Sequence, residues 1–271
     1  MSATRTVFLD VDGTLVDHTQ RLAPSVVEAV QGARRNGHLV FVATGRSRSE
    51  IPESVLDIGF DGVISAAGGY LEYQGVLIAE HTLPEADVEE IAEFLGRHNV
   101  EYNLQAFDAV FPSLGLTALI ERAQAHNADV SDARAAAGAS LPGPGSGERI
   151  AKVTFYGEHA STYATVRDGL GDRFHVITGT IPWLGEAGGE ISLPGINKGA
   201  AITEMMAVLS RPVSGVVAIG DSVNDLEMFD VAGVSIAMGN ASPAIQAHAH
   251  EVTSSVDNDG VWTAFRRHGL I

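Results

Sequence analysis

The sequence predicts an α/β protein with an open, doubly wound, mainly parallel sheet and an inserted α+β domain. Three observations carry that expectation. Short apolar runs at 6–9, 38–43, 62–65, 215–219 and 234–238 alternate with segments of helical period, as in consecutive βαβ units. The alternation breaks between about Leu71 and Ile191 and then resumes. The core is therefore expected at 1–81 and 191–271, with 82–190 as the insert. Finally, three apolar runs end in polar groups: Asp10 and Asp12, Thr44 and Arg46, and Asp221, Asn224 and Asp225. Open α/β sheets hold ligands at the carboxyl ends of their strands, and parallel strands would bring these ends together.

The elements follow in order. Residues 6–9 read as a buried strand, and Gly13 permits a sharp turn just after its two acids. Asp10 and Asp12 are two apart, so on a regular strand they share a face. Two carboxylates that close repel unless a cation or proton intervenes. Ser25 and Glu28 have capping-box spacing ahead of a helical face of Val26, Ala29, Val30 and Ala33, which Asn36 and Gly37 end. Ser47 and Glu50 repeat the spacing ahead of a helix to about Ile58. Residues 71–79 read as a hairpin around Gln74 and Gly75. Pro84 suits a first helical turn with Glu85 and Asp87 at its positive end, and that helix runs to about His98.

An extended stretch at 102–111 and an Ala-rich helix at 117–137 follow. The Pro- and Gly-rich segment at 141–147 is a loop and a candidate mobile segment. A strand at 150–156, a helix at 161–170 and a strand at 175–181 complete the insert. Asn197 caps a helix with Ile202, Met205, Met206 and Leu209 on one face, and Ser242 with Pro243 opens a short one.

Composition narrows the function classes. A chain of 271 residues suits one large domain or two smaller ones with a substantial core. Its 34 acidic and 17 basic residues give a formal net charge of -17. That argues against nucleic acid and anionic membrane as partners, since both require basic patches. There is no cysteine, which excludes disulfides and thiolate metal sites. No long apolar run and no basic segment leading into an apolar one occurs, so a soluble cytoplasmic protein is the expectation.

Gathered at one sheet edge, the polar strand ends supply several carboxylates and a hydroxyl, and Lys198 at a helix entrance adds an ammonium. Such a cluster calls for a hard divalent cation. Mg2+ fits, because it binds through one or two carboxylates, waters and substrate phosphate. Zinc lacks the Cys or paired His ligands it favours. Each residue also has an ordinary reading. An Asp-Gly turn accounts for the first pair of acids taken alone. Ser222 and Asp225 have capping-box spacing, so Ser222 is expected to cap. Arg46 suits a structural salt bridge as well as a substrate contact. A lysine at the positive end of a helix is unfavourable by itself, so Lys198 points to an anionic neighbour. His248 and His250 read as a solvent-facing helix end, and Trp183 as packing.

Four segments carry a family resemblance: Asp10-Val11-Asp12-Gly13-Thr14-Leu15, Thr44-Gly45-Arg46, Gly195-Ile196-Asn197-Lys198-Gly199 and Gly220-Asp221-Ser222-Val223-Asn224-Asp225. In this order they resemble the four motifs of the haloacid dehalogenase superfamily. The layout, covering essentially the whole chain, resembles the Cof-type phosphatases: a Rossmann-like core with a large cap inserted between the Thr motif and the Lys motif. One departure is Ala66-Ala67-Gly68-Gly69, where the family often has Asn-Gly-Ala. It bears on substrate contacts near the cap hinge.

The resemblance implies a Mg2+-dependent phosphatase. Asp10 would be the nucleophile and form an aspartyl-phosphate, and Asp12 would be the general acid and base. The Asp10 carboxylate, the Asp12 backbone carbonyl and Asp221 would hold the metal. Thr44, Gly45, Arg46, Lys198 and Asn224 would bind phosphate or substrate, with Lys198 neutralising charge. Asp225 would bond a metal-bound water or Lys198. The expected substrate is a small phosphorylated metabolite such as a sugar monophosphate, because the insert is itself acidic and disfavours a polyanion. The alternatives are a phosphosugar mutase with the same nucleophile and a phospho-accepting, receiver-like switch. The insert and the second acid, Asp12, argue against the switch. The lack of membrane spans and the presence of Asp12 exclude the superfamily's transporting ATPases.

Overall fold

The computed structural model describes residues 4–125, 147–178 and 184–271. They divide into two compact units. Met1–Gly45, Ile51–Ala79 and Asn197–Ile271 form the first, and Arg46–Glu50 with Glu80–Ile196 the second. In chain order the strands are β1 (Thr6–Leu9), β2 (Leu39–Ala43), β3 (Gly62–Ser65), β4 (Tyr70–Tyr73), β5 (Val76–Glu80), β6 (Glu101–Gln105), β7 (Val110–Pro112), β8 (Lys152–Tyr156), β9 (His175–Thr178), β10 (Gly188–Ser192), β11 (Val216–Gly220), β12 (Val234–Ala237) and β13 (Glu251–Val252). The helices are α1 (Pro24–Arg35), α2 (Glu53–Leu56), α3 (Glu85–Arg97), α4 (Leu116–Ala125), α5 (Thr162–Leu170), α6 (Lys198–Val208), α7 (Leu226–Val231), α8 (Pro243–His248) and α9 (Gly260–Arg267).

The first unit is built on an eight-stranded sheet in the order β13-β12-β11-β1-β2-β3-β4-β5. From β13 to β3 neighbouring strands run parallel, and β4 returns antiparallel to β3. β1 lies in the middle and is buried throughout. Its side chains alternate between two cores, as a strand requires. Val7 and Leu9 pack with Val26 and Val30 of α1 and Phe265 of α9. Phe8 packs on the other face with Ile202 and Met205 of α6 and Phe229 of α7. Burying each such side chain contributes about 1.5–3 kcal/mol, so β1 is pinned from both sides.

Local entries follow from small side-chain choices. Asn197 caps α6 by accepting from Ala200 N at 2.8 Å, and Ser222 with Asp225 forms a complete capping box. Gln74 and Gly75 both take positive φ, 50° and 76°, between β4 and β5, the geometry of a two-residue hairpin turn. The capping boxes expected at Ser25 and Ser47 do not both form. Pro24 occupies the first turn of α1, so Ser25 falls inside the helix and donates to Asp259 instead. At Ser47 only half the box exists: its N donates to Glu50 Oε2 at 2.8 Å. Pro52 then splits the expected helix into a 3-10 turn at Arg48–Glu50 and the short α2, because proline lacks the N–H a continuing helix needs.

The second unit holds a five-stranded sheet in the order β7-β6-β8-β10-β9, paired antiparallel. Leu104, Val153, Phe155 and Ile191 face its core with Ile91 and Leu95 of α3 and Val166 of α5. The alternate residues make a polar face. Lys152 and Glu190 pair there at 2.9 Å, both buried. Gln105 Nε2 donates to Glu50 Oε2 at 2.6 Å. Asn103 Oδ1 and Gln105 Oε1 are buried and meet no hydrogen-bond partner among the described residues. Because β10 pairs with β8, the chain re-enters the first unit at Asn197 rather than near 191. An apolar strand of the insert and the first strand of a resumed core look alike in sequence.

The rest of the predicted 117–137 helix beyond Ala125, most of the 141–147 loop, the end of the 175–181 strand and Trp183 lie outside the described residues. Among the described residues no helix is long and apolar enough to cross a membrane.

Candidate active site

Sheet register decides which polar residues meet. Leu9 of β1 stands opposite Val42 of β2 and Ile219 of β11, all parallel. Asp10 N donates to Ile219 O at 3.0 Å. Asp10, Thr44 and Asp221, which follow these strands, therefore leave the sheet along one edge. Asp10 continues the alternation of Phe8, toward the face covered by α6, and Lys198 is the first residue of α6. Lys198 is fully buried. Its Nζ donates to Asp10 Oδ1 at 2.6 Å, to Asp225 Oδ1 at 2.6 Å and to Asn224 Oδ1 at 3.4 Å. Burial alone would drive the ammonium toward neutrality. The charges of Asp10 and Asp225 outweigh it and hold the Lys198 pKa above its ordinary value.

Asp225 has a divided role. One oxygen takes Lys198, and Oδ2 accepts from Asp221 N at 2.8 Å and Ser222 N at 2.9 Å. Of the two partners expected for Asp225, the structure supplies Lys198. Asp221 is set by a residue that the sequence reading missed. Asn240 Nδ2 donates to Asp221 Oδ2 at 3.1 Å and to Gly13 O at 2.9 Å, while Asn240 Oδ1 accepts from Val256 N at 2.9 Å. Gly13 sits at φ +74°, and a Cβ there would lie 2.1 Å from Asp221 Oδ2. That glycine makes room for the acid as well as the turn.

Asp10, Asp221 and Asp225 each present an oxygen within 4.8 Å of the others. Burial pushes Asp10 up from the usual carboxylate range; Lys198 offsets part of this, and Asp225 and Asp12 add to it. Burial likewise pushes Asp221 up, reinforced by Asp10 and Asp225. Asp221 Oδ1 is buried and meets no hydrogen-bond donor among the described residues. A crowded, desolvated acid set with an unpartnered oxygen suits a hard divalent cation, which relieves the repulsion and takes that oxygen as a ligand.

β1 ends at Leu9, so strand alternation does not by itself place Asp12, but its charge helps push up both the Asp10 and the Asp221 carboxyl. Asp12 Oδ1 accepts from Gln20 Nε2 at 3.3 Å. Thr44 is buried; its N donates to Ile64 O and its carbonyl accepts from Ala67 N, each at 2.9 Å. Ala66 and Ala67 both lie in the left-handed region, at φ 48° and 54°. Arg46 groups with the second unit, where its Nη1 donates to Glu50 O at 3.0 Å. His248 and His250 pair with Asp230 and Ser235. Asp221 directly follows β11, whereas Asn240 lies in the loop beyond Ala237, the end of β12; like Gln20, it carried no strand-end signal.

A family model described as haloacid dehalogenase-like hydrolase matches residues 7–265. The chain is 28% identical over 265 residues to the phosphoglycolate phosphatase of Methanothermobacter thermautotrophicus, covering 97% of this chain and 98% of that protein. It is 26% identical over 274 residues to the pyridoxal phosphate phosphatase YbhA of Escherichia coli K12, covering 95% and 96%. Its fold is similar to that of a haloacid dehalogenase-like hydrolase from B. subtilis, with a TM-score of 0.82 at 23% identity, covering 97% and 99%.

Proposed function

The chain belongs to the Cof-type haloacid dehalogenase-like hydrolases, and on that premise we propose that it is a Mg2+-dependent phosphatase of small monoesters acting through an aspartyl-phosphate on Asp10. The observation that carries this reading is Lys198 held between Asp10 and Asp225 beside the unpartnered Asp221 oxygen. The Asp10 and Asp221 carboxylates and the Asp12 backbone carbonyl would hold Mg2+. When bound, the ion lowers the repulsion between an anionic nucleophile and an anionic phosphate.

The chain's own residues then divide the work. Asp10 attacks phosphorus while the bond to the leaving oxygen breaks, and Asp12 gives that oxygen a proton. Water next attacks the aspartyl-phosphate, Asp12 takes its proton back, and free phosphate and Asp10 are restored. Thr44, the Gly45 amide and Asn224 orient the phosphoryl oxygens, and Lys198 balances the charge gathering on them. Arg46, already bonded to the Glu50 carbonyl, contributes to binding through the segment it holds. The relatives named as phosphatases of phosphoglycolate and of pyridoxal phosphate support a small phosphorylated metabolite, such as a sugar phosphate, as substrate. A cytoplasmic setting belongs to the same proposal, since such metabolites are made and consumed there.

The test is a panel of phosphate monoesters assayed for free phosphate with and without Mg2+. Release from small monoesters that needs Mg2+ and is lost in Asp10→Asn is the expected result. Hydrolysis confined to nucleoside triphosphates or phosphoproteins would overturn it, as would full activity in Asp10→Asn. An isomerised sugar phosphate without free phosphate would mark a mutase instead.

A further inference from the structure

The loop that follows Asp12 is tied at both ends and organised from within. Asp12 bridges Val16, and Val16 bridges Leu22. Asp17 is nearly fully buried. Its Oδ1 accepts from Thr19 N at 2.8 Å, Thr19 Oγ1 at 2.7 Å and Arg21 N at 3.0 Å, and its Oδ2 accepts from Arg21 Nε at 3.0 Å. The Thr19 hydroxyl and the Arg21 amide lead in holding the Asp17 carboxyl well below the usual range, so this knot stays charged and tight. Between those two partners lies Gln20. Its N donates to Asp17 O at 2.9 Å, and its backbone sits at φ 61°, a conformation that a residue with a long side chain rarely adopts. The strained turn aims the Gln20 carboxamide back at Asp12, where Nε2 donates to Oδ1 at 3.3 Å.

We propose that Gln20 is a positioning residue that fixes the rotamer of Asp12 so that the other oxygen, Oδ2, faces the leaving group. This rests on the acid and base role given to Asp12 above. An amide N–H only donates, so Oδ1 is committed as an acceptor and Oδ2 carries the proton that moves. As the phosphorus–oxygen bond to the leaving group breaks and the Asp10–phosphorus bond forms, that proton passes from Oδ2 to the departing oxygen. Catalytic hydrogen bonds in unliganded proteins are commonly long and tighten with substrate, in keeping with 3.3 Å.

The leaving group separates this role from a structural one. An alkoxide departs only with a proton, whereas p-nitrophenolate departs without help. The test compares kcat/KM of the Mg2+-loaded wild type, Gln20→Gly and Gln20→Met on p-nitrophenyl phosphate and on an alkyl monophosphate that the wild type hydrolyses. That ratio reports the steps up to leaving-group departure. Glycine relieves the strained φ and methionine retains it, but both delete the donor. For both variants kcat/KM should fall about tenfold or more on the alkyl ester and less than about threefold on the aryl ester. The thermal midpoint of Gln20→Gly should be no lower than that of the wild type. Equal losses on the two esters, or wild-type alkyl turnover in Gln20→Gly, overturn the positioning role. An Asp12→Asn protein that shows no leaving-group bias overturns the acid and base reading itself.

Discussion

Replacing Lys198 by methionine removes one charge from the centre of the site while keeping the length and burial of the stem. The ammonium lies 2.6 Å from both Asp10 and Asp225, and at an effective dielectric of about 20 each contact is worth roughly 6 kcal/mol before desolvation. Much of that offsets the cost of burying three charges. What Lys198→Met leaves behind is two buried carboxylates without their cation, and deleting one partner of a buried pair costs about 3–5 kcal/mol. Urea unfolding of the chelated protein should therefore show a loss of that size at unchanged m-value, a large share of an ordinary domain's about 5–15 kcal/mol. The kcat should fall by about 10²–10³, the usual effect of removing a donor from the developing charge. Adding Asp225→Asn should destabilise by less than the two single losses together, because it removes one of the stranded charges. A Lys198→Met protein as stable as the wild type, with kcat intact, would refute the view of this ammonium as the site's electrostatic keystone.

Asp221→Asn should be at least as stable as the wild type in chelator, because it dilutes a crowded acid cluster. It should also lose the stabilisation by Mg2+, about 2.7 kcal/mol at a hundredfold excess over Kd, and thermal melts with and without the ion read both effects. Ala67→Gly should stabilise by about 0.5–1 kcal/mol, since a left-handed alanine carries a steric cost that glycine does not; an equal destabilisation in urea would contradict it. Burial, then the charges of Arg5 and Arg211, depress the His38 pKa below 6.5, and its Nδ1 accepts from Arg5 N. The native state thus binds fewer protons than the unfolded one at acid pH, and stability should fall as pH drops below about 6.5. His38→Asn should flatten that slope in urea midpoints measured across the range.

The parts of the site that were legible in the sequence are those fixed by strand endings. Asp10, Thr44 and Asp221 stand directly after apolar runs, and a parallel sheet leaves such residues no other place than one edge. Lys198 was legible from its conflict with the helix dipole, a conflict that Asp10 and Asp225 resolve. For the second acid period-two reasoning says less, because β1 stops at Leu9, although Asp12 still acts on Asp10 and Asp221 through its charge. Ser25 failed as a cap for a related reason: Pro24 claims the first turn, and spacing rules do not rank one signal above another. Gln20 and Asn240 were missed because their contacts depend on loop paths, Gln20 in a strained turn and Asn240 reaching back to Gly13 across most of the chain. No window of neighbouring residues encodes such a path. Arg46 shows the converse, a motif position whose fold neighbours lie in the second unit.

The position of β1 between β2 and β11 has a consequence for biogenesis. β2 is made early, but β11 begins at Val216, after the whole second unit. A ribosome adding about 5–20 residues per second takes on the order of ten seconds to cover that interval. Throughout it, one hydrogen-bonding edge of Thr6–Leu9 and the apolar side chains beside it have no native partner. Exposed strand edges of this kind template aggregation. That edge is therefore most open to wrong pairing while the insert is being translated, and the edge that carries Asp10 closes only when β11 reaches β1.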